Sequence, residues 1–288
     1  MKLTVVKSQS MKETSYGRVK VVSDVAIGKK LRSPTTTAVS SSLATSPITV
    51  VVGPKREKIY VHETILSSSS AYLKNALKLE WQKPGEKEIK LRDVDIASFR
   101  TYINWLYTGR FKMTKDPADK PKAKTGDDPA VFDPEWTRWT HCYELVNFLQ
   151  DNDCKDSLID MAIEKMMSDT AYVAELPNLI YSTSHSRSPS MKLAVDIAVN
   201  VWSGDTIIDA DQADYSAEFL VDVVKAGLRR NTGESMGVQA FFMPKDTCVY
   251  HEHTLTNTPC YKIKRGFDPT TKYFALRHYD IYLSDRDQ

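Results

Sequence analysis

The order of short elements between residues 47 and 109 constrains the fold more than any other feature of the chain. Residues 48–52 are a continuous, mostly β-branched apolar run, which is typical of a buried strand, and a Gly-Pro pair ends it. After a charged turn the extended pattern resumes at 58–61, so the two strands should form a hairpin. Two short helices, a third strand at 88–91 and a longer amphipathic helix ending at Gly109 complete the series.

The polar residues of this stretch occupy positions where they would cap helices and close turns. The serines at 67–70 offer hydroxyls for a helix N-terminus. Asp93 and Asp95 can both accept hydrogen bonds from backbone amides, and Asp95 is the better candidate of the two to cap the helix that contains Phe99. Gly109 can end that helix in the left-handed conformation. His62 stands at the junction of a strand and a helix, where we expect it to pack and form hydrogen bonds. We therefore expect no catalysis here.

Five short motifs occur in this order: V-V-V-G, I-Y-V-H, S-x-Y-L-K-N-A-L, I-x-L-x-D-x-D and F-x-x-Y-I-x-W-L-Y-T-G. In their order and spacing they resemble the BTB/POZ domain, most closely that of the fungal single-BTB proteins. The resemblance implies an α+β fold, a short mixed sheet capped by helices, and a protein–protein interaction function without enzymatic activity. It also implies a homodimer or a docked partner. An adaptor that recruits substrate to a cullin-based ubiquitin ligase is the first alternative.

The sequence divides into four parts. Residues 1–46, with eight Lys or Arg against two acidic residues and a Ser/Thr-rich end, predict a disordered tail. Residues 47–170 form the expected BTB/POZ domain, with a charged loop at 112–130 and a closing helical hairpin that the resemblance also implies. Residues 171–235 show helical periodicity throughout and predict a helical extension. Residues 236–288 predict a small irregular C-terminal segment.

The tail has two further interpretations. A basic cluster at Lys29, Lys30 and Arg32 could act in targeting, and Ser33-Pro34 could be phosphorylated. In many BTB dimers a strand ahead of the domain is exchanged, and the candidate strands here are residues 3–7 and 19–22.

Composition excludes several classes of protein. A formal net charge of +2 gives no overall electrostatic attraction for nucleic acid, and no DNA-reading module is recognisable, so we expect no direct nucleic-acid binding. Four cysteines are too few for a secreted disulfide scaffold. No apolar run approaches the length of a membrane span, and no signal peptide is apparent. These features favour a cytoplasmic or nuclear location without membrane association.

The C-terminal segment holds a possible metal-binding group, formed by Cys248, His251, His253 and Cys260. Thiolate and imidazole groups are the ligands that zinc prefers, and a Cys/His cluster of this kind recurs near the C-termini of fungal BTB proteins. The spacing matches no named zinc-finger class, and on an extended strand Cys248 and His251 would point to opposite faces. Three interpretations stay open: a structural zinc site, buried reduced thiols with surface histidines, and a metal-dependent enzyme.

No other set of residues suggests chemistry. The sequence has no nucleophile elbow, phosphate-binding loop or dinucleotide fingerprint, so we expect no catalytic residue and no bound organic cofactor. His141, Cys142 and Cys154 lie in the predicted covering helices, and buried thiols in such helices usually behave as small apolar groups.

Overall fold

The computed structural model of the chain describes residues 5–7, 46–78, 88–111, 134–202, 215–230, 236–243 and 245–267. The predicted charged loop at 112–130, the basic cluster of the tail and the candidate strand at 19–22 lie outside these residues. None of the helices found within them is long and apolar enough to cross a membrane.

The described elements follow the predicted order closely. The strands are β1 (Val5–Lys7), β2 (Pro47–Val52), β3 (Glu57–His62), β4 (Glu88–Leu91) and β5 (Ala171–Val173). The helices are α1 (Glu63–Leu66), α2 (Ala71–Ala76), α3 (Ile96–Thr108), α4 (Pro134–Phe148), α5 (Asn152–Asp169), α6 (Leu176–Thr183), α7 (Pro189–Asn200), α8 (Ala217–Leu228), α9 (Val238–Phe242), α10 (His253–Thr256) and α11 (Tyr261–Lys264). A 3-10 helix, Thr247–Tyr250, lies between α9 and α10.

A mixed sheet of three strands forms the base of the first part of the chain, in the order β3-β2-β4. The hairpin strands β2 and β3 pair antiparallel, whereas β4 pairs with β2 in parallel. Because β2 is the central strand, its apolar residues Val50 and Val52 are fully buried. The fold is therefore α+β with a short mixed sheet, as predicted.

The caps predicted in this region are confirmed. The Ser70 hydroxyl accepts a hydrogen bond from the amide of Leu73 at the start of α2, and Asp95 accepts one from the amide of Ser98 at the start of α3. Gly109 ends α3 with φ of 72°. His62 forms a hydrogen bond through Nδ1 to the Tyr107 hydroxyl at 2.7 Å, so it joins β3 to α3 as a structural residue.

The hairpin of α4 and α5 covers the core with aromatic side chains. Trp136, Trp139 and Tyr143 are almost fully buried, and the indole N–H of Trp139 donates to the carbonyl of Leu158 on α5 at 2.7 Å. Asp151 accepts hydrogen bonds from the hydroxyls of both Ser69 and Tyr102. It therefore joins the turn between α4 and α5 to the residues before α2 and to α3.

The helical extension differs from the sequence prediction at one point. Residues 171–173, predicted to begin an all-helical region, form β5, which pairs antiparallel with β1. The predicted disordered tail thus has an ordered strand at Val5–Lys7, within the candidate strand at 3–7, and it pairs inside the same chain. Two consecutive valines favour an extended backbone, and the edge of β5 supplies the hydrogen-bonding partners.

The C-terminal segment packs against the earlier helices. In its described residues it consists of short turns of helix, none longer than the five residues of α9. Buried side chains from Ile48 in β2 to Tyr250 in the 3-10 helix belong to one continuous apolar core. This packing places the Cys/His group of the segment on the surface of α5.

Candidate metal centre

Local backbone geometry brings the four predicted ligands together. Cys248 lies in the 3-10 helix, whose start is capped by the Asp246 carboxylate, and His251 follows directly as its C-cap. In a 3-10 helix the side chains at positions i and i+3 lie on the same side. The extended strand on which Cys248 and His251 would point to opposite faces is therefore not formed here. His253 begins α10, and Cys260 is the residue before α11.

The ligand atoms of the four residues all lie within 4.8 Å of one another. The two sulfurs are 3.9 Å apart, and Cys260 Sγ is 3.8 Å from His251 Nδ1. In a tetrahedral zinc site with Zn–S bonds of about 2.3 Å and Zn–N bonds of about 2.0 Å, two sulfurs lie about 3.8 Å apart and sulfur and nitrogen about 3.5 Å apart. The four residues thus form a group that could hold one metal ion.

Asp160 of α5 fixes the orientation of His251. The imidazole Nε2 lies 3.0 Å from the Asp160 carboxylate, to which it donates, and this leaves Nδ1 directed towards Cys260. Burial opposes the charged imidazolium, but the neighbouring Asp160 outweighs it and raises the pKa of His251 to about 10. A carboxylate that holds the second ring nitrogen is the usual support of a metal-binding histidine.

The two thiols share a hydrogen bond that shifts their pKa values in opposite directions. A hydrogen bond from Cys248 lowers the pKa of Cys260 to about 4 against the opposing effect of burial, and His251 adds to the lowering. The pKa of Cys248 is raised, mainly because its thiol donates this hydrogen bond. Cys260 therefore has thiolate character, and the thiolate is the form that binds a metal.

His253 supplies an unsatisfied nitrogen. Its Nε2 is buried and finds no hydrogen-bond partner among the described residues. Burying a polar atom without a partner costs free energy, so such an atom calls for an explanation. A metal ion held by the other three ligands would satisfy it.

Buried polar contacts anchor the segment that carries the ligands. The backbone amides of Glu252 and His253 donate to the carboxylate of Asp156, whose pKa burial raises to about 7. Glu252 forms an ion pair with Lys155 at 2.7 Å, and both side chains are at least 97% buried. Glu252 also accepts a hydrogen bond from the Ser188 hydroxyl at the start of α7. The turn between the two histidines is thus fixed to both α5 and α7.

Farther along the segment, Arg265 reaches the end of α3. Its guanidinium lies 4.0 Å from the ring centroid of Trp105 and donates to the carbonyl oxygens of Trp105 and Leu106. These carbonyls belong to the last turn of α3, where cations are favourable. The C-terminal segment therefore contacts both α3 and α5.

Sequence reasoning did not identify Asp156 and Asp160, the carboxylates of α5 that support the centre. Asp156, Asp160 and Glu164 recur every four residues on one face of a helix, and all three are buried. Acidic residues spaced four apart on a helix that is predicted to cover the core would have indicated these side chains, because buried carboxylates require partners.

The other candidate residues are not assembled into a site. Cys142 and Cys154 are buried free thiols, and burial raises the pKa of Cys142 to about 12. His141 is exposed on α4. Within the ranges that the structure covers, the Cys248–Cys260 group is the one cluster of its kind.

Comparison with known proteins adds one finding. Residues 40–121 match the family model of the BTB/POZ domain, a stretch that includes the mixed sheet and helices α1 to α3. No curated protein matches the chain.

Proposed function

We propose that this chain, which contains a BTB/POZ domain, is a non-enzymatic scaffold or adaptor that binds a protein partner through that domain. BTB/POZ domains mediate protein–protein interaction and dimerisation. The fungal single-BTB type, which the motifs resemble, belongs to the proposal, as does a cytoplasmic or nuclear location. The observation that carries the proposal is the match of residues 40–121 together with the sheet and caps of the fold.

The polar residues of the domain support an interaction function. Ser70 and Asp95 cap helices, His62 contacts Tyr107, and Asp151 accepts hydrogen bonds from Ser69 and Tyr102. Each of these groups is satisfied by a structural partner. A catalytic group, in contrast, would have to present a reactive atom to a cleft.

The surface of the domain offers aromatic side chains to a partner. Tyr60 on β3 is 67% exposed, and Phe148 at the end of α4 is 51% exposed and contacts the ring of Tyr72. Exposed aromatic residues are frequent among the side chains that dominate binding energy at protein interfaces. We expect a partner to cover at least one of these two sites.

The test uses the full-length chain, because its C-terminal segment packs on α5 and an isolated 47–170 fragment would expose that face. Sedimentation velocity at tens of micromolar, binding to a purified cullin N-terminal region and capture from a cell lysate are compared for the wild type and for Tyr60→Asp and Phe148→Asp variants. We expect at least one association that a variant abolishes. A monomeric chain with no cullin binding and no capture that depends on either residue would refute the proposal.

We further propose that Cys248, His251, His253 and Cys260 hold a structural zinc ion. Four protein ligands fill a tetrahedral site and leave no position for a substrate or an attacking water, which is the arrangement of structural rather than catalytic zinc. The ion would close the turn from residue 248 to residue 260 and so keep the C-terminal segment on α5.

Metal analysis of protein purified without chelator tests the site. We expect one zinc per chain, lost in Cys248→Ser and Cys260→Ser variants but kept in Cys142→Ala, a matched change at a buried thiol outside the cluster. Folded wild-type protein without zinc would contradict the site. The same variants distinguish a structural ion from the ion of a metal-dependent enzyme. Loss of a structural ion lowers the melting temperature, whereas loss of a catalytic ion abolishes an activity in a chain that stays folded.

The domain bounds of the sequence analysis are also part of the proposal: a tail at 1–46, the BTB/POZ domain at 47–170, a helical extension at 171–235 and a zinc-stapled segment at 236–288. Limited proteolysis followed by mass spectrometry tests them. We expect early cleavage in the tail and in the charged loop at 112–130, and protection of the segment only while zinc is bound.

A further inference from the structure

Helix α8 carries an apolar face that no described element covers. Leu220, Val221, Val224 and Leu228 expose 48, 50, 60 and 82% of their surface, respectively. The opposite side of the helix is anchored, since Phe219 is buried against the core and Val223 and Ala226 pack on it. Together the four exposed side chains present roughly 400 Å² of apolar surface, about the size of the largest patch on a typical monomer.

The charges beside this face have an ordered arrangement. At 100° per residue, Glu218, Asp222, Lys225 and Arg229 form one row along the edge of the apolar stripe, acidic in the first half of the helix and basic in the second. Lys225 and Asp222 lie 3.5 Å apart at the centre of the row, and Glu218 and Arg229 are exposed at its ends.

We propose that α8 is a self-association surface on which a second copy of this chain docks its own α8 antiparallel, about a twofold axis near Val224. Such an axis places the charged row of one helix beside the same row of the other, running in the opposite direction. Glu218 then faces Arg229 of the second copy, and Leu220 faces its Leu228. A parallel pair, with its twofold axis along the helices, would instead place the two charged rows on opposite sides of the contact, where they could not pair.

The contact surface also permits close approach. Gly227 lies beside the apolar stripe, and a Cβ built at this position meets nothing within 4 Å. Two such patches bury roughly 800 Å² in total, which is below the range of about 1,200–2,000 Å² for stable interfaces. The association should therefore be weak, with a dissociation constant in the micromolar range.

The first experiment is a concentration series of the full-length chain in sedimentation velocity. We expect Val224→Glu to weaken self-association at least tenfold, while Met243→Glu, a matched change at a side chain that is 56% exposed outside this face, leaves it unchanged. Circular dichroism and melting temperature verify that both variants are folded. Equal association of the wild type and folded Val224→Glu would overturn the proposal.

Charge reversal tests the antiparallel geometry. Glu218→Lys and Arg229→Glu should each weaken association several-fold at low salt, and the double variant should restore it, because the pairs across the twofold axis are then reversed together. If the double variant is as weak as the single ones, the antiparallel pairing is wrong.

A cross-link separates this contact from dimerisation through the BTB/POZ domain. Val224→Cys lies near the proposed axis, so a short bismaleimide should join two chains at residue 224, whereas Lys90→Cys on β4, also exposed, should not give a link between two residues 90. Self-association without the 224–224 link would leave the BTB/POZ surface as the contact and refute the role of α8. Loss of BTB-dependent binding with the link retained would refute only the proposed function.

Discussion

Replacing Glu252 with alanine tests how the C-terminal segment is held on α5. The Glu252 carboxylate lies 2.7 Å from the Lys155 ammonium, with side-chain exposures of 2% and 3%, so the change removes the carboxylate that pairs with a buried cation. Lys155 would retain the hydroxyls of Ser184 and Ser188, at 3.2 and 3.1 Å. Removing one partner of a buried ion pair lowers the free energy of unfolding by about 3–5 kcal/mol.

The matched control is the ion pair of Glu57 and Arg100, at 3.0 Å but with side-chain exposures of 36% and 65%. Because solvent screens an exposed pair, Arg100→Ala should lower the free energy of unfolding by less than about 1 kcal/mol. The double variant Lys155→Met with Glu252→Leu should lose much less than the sum of the single changes, since no unpaired charge stays buried.

Urea denaturation followed by fluorescence and circular dichroism measures these differences. With a slope of about 3 kcal/mol per M of urea, Glu252→Ala should lower the unfolding midpoint by about 1–1.7 M. The variant should also bind zinc more weakly, because Glu252 anchors the turn between two of the proposed ligands. A loss no larger than that of Arg100→Ala would refute the conclusion that this buried pair anchors the segment.

Changes at four further positions have outcomes that the structure predicts. Asp160→Asn should lower zinc affinity by about 10–100-fold in a competition titration, because the carboxylate that orients His251 is lost; an unchanged affinity would exclude this role. Gly109→Ala should destabilise the fold by about 1–2 kcal/mol, since φ is +72° and its Cβ would lie 3.0 Å from Arg265 and Phe267. Gly227→Ala should stabilise the fold by about 0.5–1 kcal/mol, because Gly227 lies within a helix and its added Cβ would occupy open space. If both glycine variants changed the free energy of unfolding in the same direction, the reasoning would be contradicted. Asp151→Ala should lower the melting temperature well below that of Asp151→Asn, which can still accept from the amide of Cys154; equal losses would count against this hydrogen-bond network.

The sequence predicted the elements that local chemistry specifies. The apolar run at 48–52, the Asp95 cap and the left-handed Gly109 each depend on the preferences of a few neighbouring residues, and each appears in the structure as expected. The group of proposed metal ligands was also recognisable, because its four donor residues stand within thirteen residues of one another.

The surroundings of the candidate site could not be predicted, because they depend on contacts between distant parts of the chain. Asp160 and His251 are 91 residues apart in sequence, and Lys155 meets Glu252 only after the segment folds back onto α5. Whether Cys248 and His251 share a face depended on a 3-10 helix that the pattern of apolar residues did not indicate.

Strand β5 illustrates the same limit. Its three residues follow a long helix and precede another, so local periodicity favours helix throughout. They adopt an extended form because Val5–Lys7 pairs with them from the far end of the chain. Pairing over such a sequence distance leaves no local signal.

Native mass spectrometry of the full-length chain, purified without chelator, tests the central claim most directly, since it reports metal content and the number of chains together. We predict one zinc ion per chain in the wild type and in Cys142→Ala, none in the double variant Cys248→Ser with Cys260→Ser, and a wild-type population of more than one chain that Val224→Glu reduces. A folded wild-type chain that is monomeric at every concentration and carries no metal would contradict the account.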